Sequence, residues 1–136
     1  MASFVLKNAY LEYGGTTMTS FLESVTLNIE ADAPEDTAMG DDWRSFLSGG
    51  MKAGTLDLVF NQTFAAGEVD ATLFSLVGTS AAFLLRPTTA AIGAANPEFT
   101  GVGLITSYSP IAGTAGDKAS APVSVQCKST VNRATE

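Results

Sequence analysis

Two runs of strict alternation face each other across residues 31 to 50, and this pairing constrains the fold more than any other feature of the chain. Before the gap, Val25, Leu27, Ile29 and Ala31 alternate with Thr26, Asn28 and Glu30. After it, Leu56, Leu58 and Phe60 alternate with Thr55, Asp57 and Val59. A period of two marks a strand with one face buried and the other in water. The segment between them reads ADAPEDTAMGDDWRSFLSGG. It carries the acids Asp32, Glu35, Asp36, Asp41 and Asp42 against one cation, Arg44, and it holds the only tryptophan, Trp43. A loop this long is uncommon in a compact domain and is usually either functional or disordered. A disordered linker has little reason to keep Trp43, Phe46, Leu47 and Met51. The loop is therefore expected to pack on something, and Trp43 has two readings: folded onto its own domain, or anchored in another subunit.

The rest of the chain reads mainly as strand. Residues 4 to 13 form a first strand or strand pair, closed by a turn at Gly14-Gly15. Further strands are expected at about 21–31, 54–63, 80–86, 99–108 and 120–128. The period changes once. Val69, Leu73, Leu76 and Val77 fall at i, i+4, i+7 and i+8, which predicts a helix over 67–77. Glu68 and Asp70 lie in its first turn, where the helix dipole favours negative charge, and Gly78 is placed to close it. Gly101 and Gly103 share one face of the fifth strand, a sign of close backbone approach, a bulge or a bend. The tail from 129 to 136 is polar and expected to be loose. The sum is an α+β, mainly β fold: two packed antiparallel sheets, barrel-like, with one flanking helix and the long loop between strands 2 and 3.

Length and charge narrow the function. A chain of 136 residues is read as a single domain, residues 1 to 136. The formal net charge of −7 argues against a phosphate-binding surface, because nucleic-acid affinity comes mainly from Lys and Arg. The start reads as strand rather than as a signal peptide, and no run of 18 apolar residues predicts a membrane span. The lone Cys127 cannot form an internal disulfide and is expected to be a small buried hydrophobe, in a protein made in a cytoplasm.

Catalytic readings are weak. The chain has no histidine, which removes the commonest general base and any Ser–His or Cys–His pair. A zinc cluster would need more than one Cys. Asp36, Asp41 and Asp42 could hold a cation, but counted from Asp32 the loop fails calcium-loop spacing, with Pro34 at a ligand position and Thr37 at the glycine. GTAGDK at 113–118 lacks the Gly-Lys-Ser/Thr ending of a phosphate loop. Gly101-Val102-Gly103 opens no helix, so it is no dinucleotide fingerprint. No catalytic, cofactor or metal residue is assigned, and a non-enzyme is expected.

The pattern resembles the major tail tube proteins of long, non-contractile-tailed bacteriophages. The resemblance spans about residues 4 to 133. It rests on the strand pair joined by the loop with Trp43 and Leu47, the single helix at 67–77, the run FTGVGLITSYSP and the ending GTAGDKASAPVSVQCKSTVNRAT. It implies two packed sheets flanked by a helix. It further implies six copies in a ring, rings stacked into a tube, other tail proteins at the tube ends, and DNA passing through without specific binding. It implies a virion location after synthesis in the host bacterial cytoplasm. The loop at 31–50 would reach a neighbouring subunit, with Trp43, Phe46, Leu47 and Met51 at the interface. Alternatives are a tail terminator or head–tail joining protein, or a carbohydrate-binding β-sandwich using the loop acids.

Overall fold

The computed structural model describes residues 3–136. Its elements are β1 (Tyr10–Tyr13), β2 (Thr16–Thr17), β3 (Leu22–Ala31), β4 (Lys52–Asn61), α1 (Val69–Leu73), β5 (Ser80–Arg86), β6 (Glu98–Tyr108), β7 (Ser120–Cys127) and β8 (Asn132–Ala134). The strands join in the order β2-β1-β5-β6-β7-β4-β3, with β8 also on β6. Every ladder is antiparallel. The expected mainly β fold with one helix is what forms. The two layers of the sequence reading are hydrogen-bonded into one continuous sheet.

Alternation builds the core. Val25 lies opposite Leu58, Leu27 opposite Leu56 and Ile29 opposite Gly54. On the other side of β4, Leu56 lies opposite Val125 and Leu58 opposite Val123. Leu56, Leu58, Phe60, Val123 and Val125 thus share one face, and all are buried. They join Leu11, Tyr13, Phe83, Leu85 and Ile105 in a single hydrophobic cluster. One cluster fed by both halves of the sheet requires the sheet to roll around it. Fully burying each large side chain stabilises the fold by roughly 1.5–3 kcal/mol.

Glycines set the local geometry at two places. Gly14 and Gly15 have φ of 63° and 84°, and they link Tyr13 to its ladder partner Thr16. A two-residue hairpin with positive φ at both central positions matches strand twist, and glycine reaches it without strain. At Gly101 and Gly103 the close approach read from sequence is present. A β-carbon on Gly101 would press on the Phe83 ring, and one on Gly103 would overlap Val125.

Three boundaries differ from the sequence reading. The first strand begins at Tyr10, and the preceding Phe4, Val5 and Leu6 are exposed rather than in strand. The helix is shorter: α1 gives way to a 3-10 turn at Phe74–Leu76. Val69 and Leu73 are buried and Leu76 half-buried, but Val77 is already extended and forms a parallel bridge to Ile105. The segment is bounded by Gly67 at φ 76° and Gly78 at φ 80°, which leaves few residues for regular turns. The tail is not loose. Thr100 pairs with Asn132 and Phe99 with Arg133, continuing the ladder in which Gly103 pairs with Cys127. β7 and β8 are one interrupted strand, bulged at 128–131 over the flat surface of Gly101.

Polar contacts fasten the helix. The Tyr108 hydroxyl donates to Asp70 Oδ1 at 2.8 Å and accepts from Gln62 Nε2 at 3.1 Å. Gln62 also donates to the Pro110 carbonyl at 2.6 Å. These bonds tie α1 to β4 and β6. Gly103→Ala is expected to destabilise the fold by about 1–3 kcal/mol, the usual cost of overpacking a core. The urea midpoint of the purified variant measures it.

Candidate assembly surfaces

Residues 32–51 form a paired arm, not an irregular loop. The last β3–β4 pair is Ala31 with Lys52, and the pairing continues outward. The Asp32 amide donates to the Met51 carbonyl at 2.8 Å, Leu47 to Pro34 at 2.7 Å and Asp36 to Ser45 at 2.9 Å. Glu35 and Phe46 form a bridge. Thr37 Oγ1 accepts from the Ser45 amide, and Asp41 Oδ2 accepts from the Ala38 amide, both at 2.8 Å. Gly40, at φ 96°, turns the tip. A hairpin satisfies its own backbone, so it can stand clear of the domain.

The arm does stand clear. Trp43 is 86% exposed, and Phe46, Leu47 and Met51 are exposed with it. Among the described residues Trp43 packs on no core, which goes against the first of its two readings. Met39, at the tip, is also fully exposed. The sequence reading passed over it, although a methionine beside a turn glycine in an acidic segment was a usable signal. Arg44 lies 3.9 Å from Glu35, with both side chains well solvated, a contact worth little in water.

A second surface is the outer face of the sheet. Outward from the core point Thr26, Asn28 and Glu30 on β3, Thr55 and Asp57 on β4, and Ser124 and Gln126 on β7. In the ladders Asp57 sits between Thr26 and Ser124, and Thr55 between Asn28 and Gln126. No Lys or Arg occupies an outward position on these three strands. A third surface is an edge. β3 is ten residues long and among the described residues pairs only with β4, so its far side offers unpaired N–H and C=O groups. A long edge can pair with another chain unless charged side chains, bulges or a covering element block it.

The perturbed titratable groups belong to the core rather than to a reaction site. Burial pushes the Tyr13 hydroxyl up to about 12, and among the described residues its oxygen has no hydrogen-bond partner. Burial also raises Tyr108, with Asp70 adding to it. Burial raises the Cys127 thiol, which leaves it a poor nucleophile at neutral pH. The acids Asp36, Asp41 and Asp42 are strung along the arm, and among the described residues no three Cys, Asp or Glu side chains gather as a metal site. Among those residues, too, no helix is long and apolar enough to cross a membrane.

Because Trp43 is 86% exposed, Trp43→Ala is expected to leave thermal stability within about 0.5 kcal/mol of the parent, the usual range for a surface change. A calorimetric scan of dilute protein checks this. A loss above 2 kcal/mol would mean that Trp43 packs in the core.

No protein-family model and no curated protein matches the sequence. Solved structures do. The chain is similar to one in the virion of the native gene transfer agent (GTA) particle, with a TM-score of 0.74 at 16% identity over 96% of this chain and 98% of that one. It is similar to a chain in the tail of the empty GTA particle with C6 symmetry, with a TM-score of 0.68 at 18% identity over 92% of each. It is also similar to the SPP1 tail tube chain, with a TM-score of 0.72 at 10% identity over 95% of this chain and 77% of that one. This chain shares its fold with these three chains.

Proposed function

We propose that this chain is a structural subunit of a virion tail, six copies closing into a ring and rings stacking into a hollow tube through which DNA passes. The observation that carries this reading is the likeness, over nearly the full length of both chains, to a chain of a tail with C6 symmetry. The geometry fits it in three ways. The open edge of β3 is removed if sheets of adjacent copies join around a lumen. The outer face around Asp57 is polar and free of cations, as the wall of a DNA conduit needs to be. Repelling phosphate forgoes the counterion release that makes basic surfaces bind nucleic acid. The arm presents Trp43, Phe46, Leu47 and Met51 to a neighbouring copy. Aromatic side chains of this kind are frequent interface anchors.

No enzymatic step is required of such a subunit. Its partners are copies of itself along the tube and other tail proteins at the tube ends, after synthesis in the host bacterial cytoplasm. Electron microscopy of the purified protein at rising concentration tests the reading. Stacked rings with a central channel are the expected result, and Trp43→Ala should shorten or abolish them. Monomers at every concentration would overturn it, and single rings that never stack would point to a terminator or joining role.

A further inference from the structure

The proposed tube leaves open where the arm docks, and the charges on the chain bear on it. The arm holds five of the 14 acids and one of the seven cations. Among the described residues, at least three grooves could receive it. One, of about 200 Å³, is lined by Phe64, Ile111 and Asp117. The nearby Lys118 is already held by Glu23 at 3.1 Å, so this groove offers an acidic arm no free cation. A second, about 280 Å³, is lined by Phe4, Leu6, Leu27 and Phe99. Its Arg86 stacks over the Tyr10 ring, 4.2 Å from the centroid.

The third groove differs. It encloses about 520 Å³ at the bulge between β7 and β8, and its walls include Lys52, Lys128, Ile29 and Val131. Both lysines are exposed, and among the described residues neither forms a salt bridge. Ile29 is half exposed. The groove therefore combines two free ammonium groups with apolar walls. The arm tip combines Asp42, whose carboxylate makes no hydrogen bond among the described residues, with Trp43 beside it.

The arm cannot fill this groove in its own chain. The groove sits at the arm's base, where Lys52 pairs with Ala31. Folding back would break the Asp32–Met51 and Leu47–Pro34 backbone bonds.

We infer that the arm tip of one copy seats in the Lys52–Lys128 groove of a second copy. Asp42 and its acidic neighbours face the two lysines, and Trp43 lies against Ile29 and Val131. An arm on one surface and its acceptor on another make a head-to-tail contact, the kind that builds rings or open filaments. This inference rests on the tube reading for its biological setting, but its contact can be tested separately.

Trp43 is the only tryptophan, so its fluorescence reports the docking directly. On raising the concentration of the full chain, the emission should shift to the blue as assembly proceeds. It should shift back between 0.1 and 1 M salt, where the screening length falls from about 10 to about 3 Å. Lys52→Glu with Lys128→Glu should weaken association at least ~10-fold, about 1.4 kcal/mol, and remove the shift. Adding Asp36→Lys and Asp42→Lys to that variant should restore both. All four positions are exposed, and circular dichroism verifies that each variant is folded.

Assembly without a Trp43 shift, or a full shift in the Lys52→Glu, Lys128→Glu variant, would overturn the docking site and leave the tube reading standing. A salt-sensitive shift in oligomers that never form a tube would keep the site and overturn the tube.

Discussion

The β3–β4 ladder fixes both faces of the sheet and the root of the arm. Its register runs from Leu22 opposite Phe60 to Ala31 opposite Lys52. One parity of that register feeds the core through Leu56, Leu58 and Phe60. The other sets Thr55 and Asp57 in water. A shift of one residue would exchange the two faces, burying Asp57 and exposing Leu58. The hydrophobic pattern thus holds the register, and the register places the polar wall, the open edge and the base of the arm together.

The ladder also separates stability from assembly. Inside the sheet, each buried side chain contributes to one core. Beyond Ala31 and Lys52 the same two strands continue as an arm with no core beneath it, held by its own backbone bonds. Its large apolar side chains add little to the fold of the single chain. In the proposed tube this division would let changes in the arm tune association while the core keeps its packing. The open edge follows the same logic. β3 is flanked on one side only, and its unpaired backbone is a liability that joining with another copy would remove.

Much of this was legible in the sequence because alternation is a local signal. The limits of β3 through β7 lie within about two residues of where period two places them, and the glycine pair at 101 and 103 marked the crowding beneath Phe83 and Val125. What was not legible depends on partners distant in sequence. Nothing in SerThrValAsn at 129–132 announces that the tail rejoins β6 after a bulge, since Gly101, which makes room for it, is far away in the chain. The short helix was over-read because Val77 fits the helical period and yet is taken by a bridge to Ile105. The arm's large side chains Trp43, Phe46, Leu47 and Met51 stand out in the sequence as apolar residues in an acidic segment, and all four are exposed. That they project from a paired hairpin, and that Lys52 and Lys128 converge on one groove at its base, required the fold.

Hydrogen exchange along β3 reports whether the open edge of this strand is a joining surface. In dilute monomer, the β3 amides directed away from β4 should exchange quickly, while those bonded to β4 are protected. In the assembled state the outward amides should slow by roughly 100-fold or more, as for backbone groups within a sheet. Outward amides that exchange equally fast in monomer and assembly would contradict the account, because the edge would then remain open where it is claimed to close.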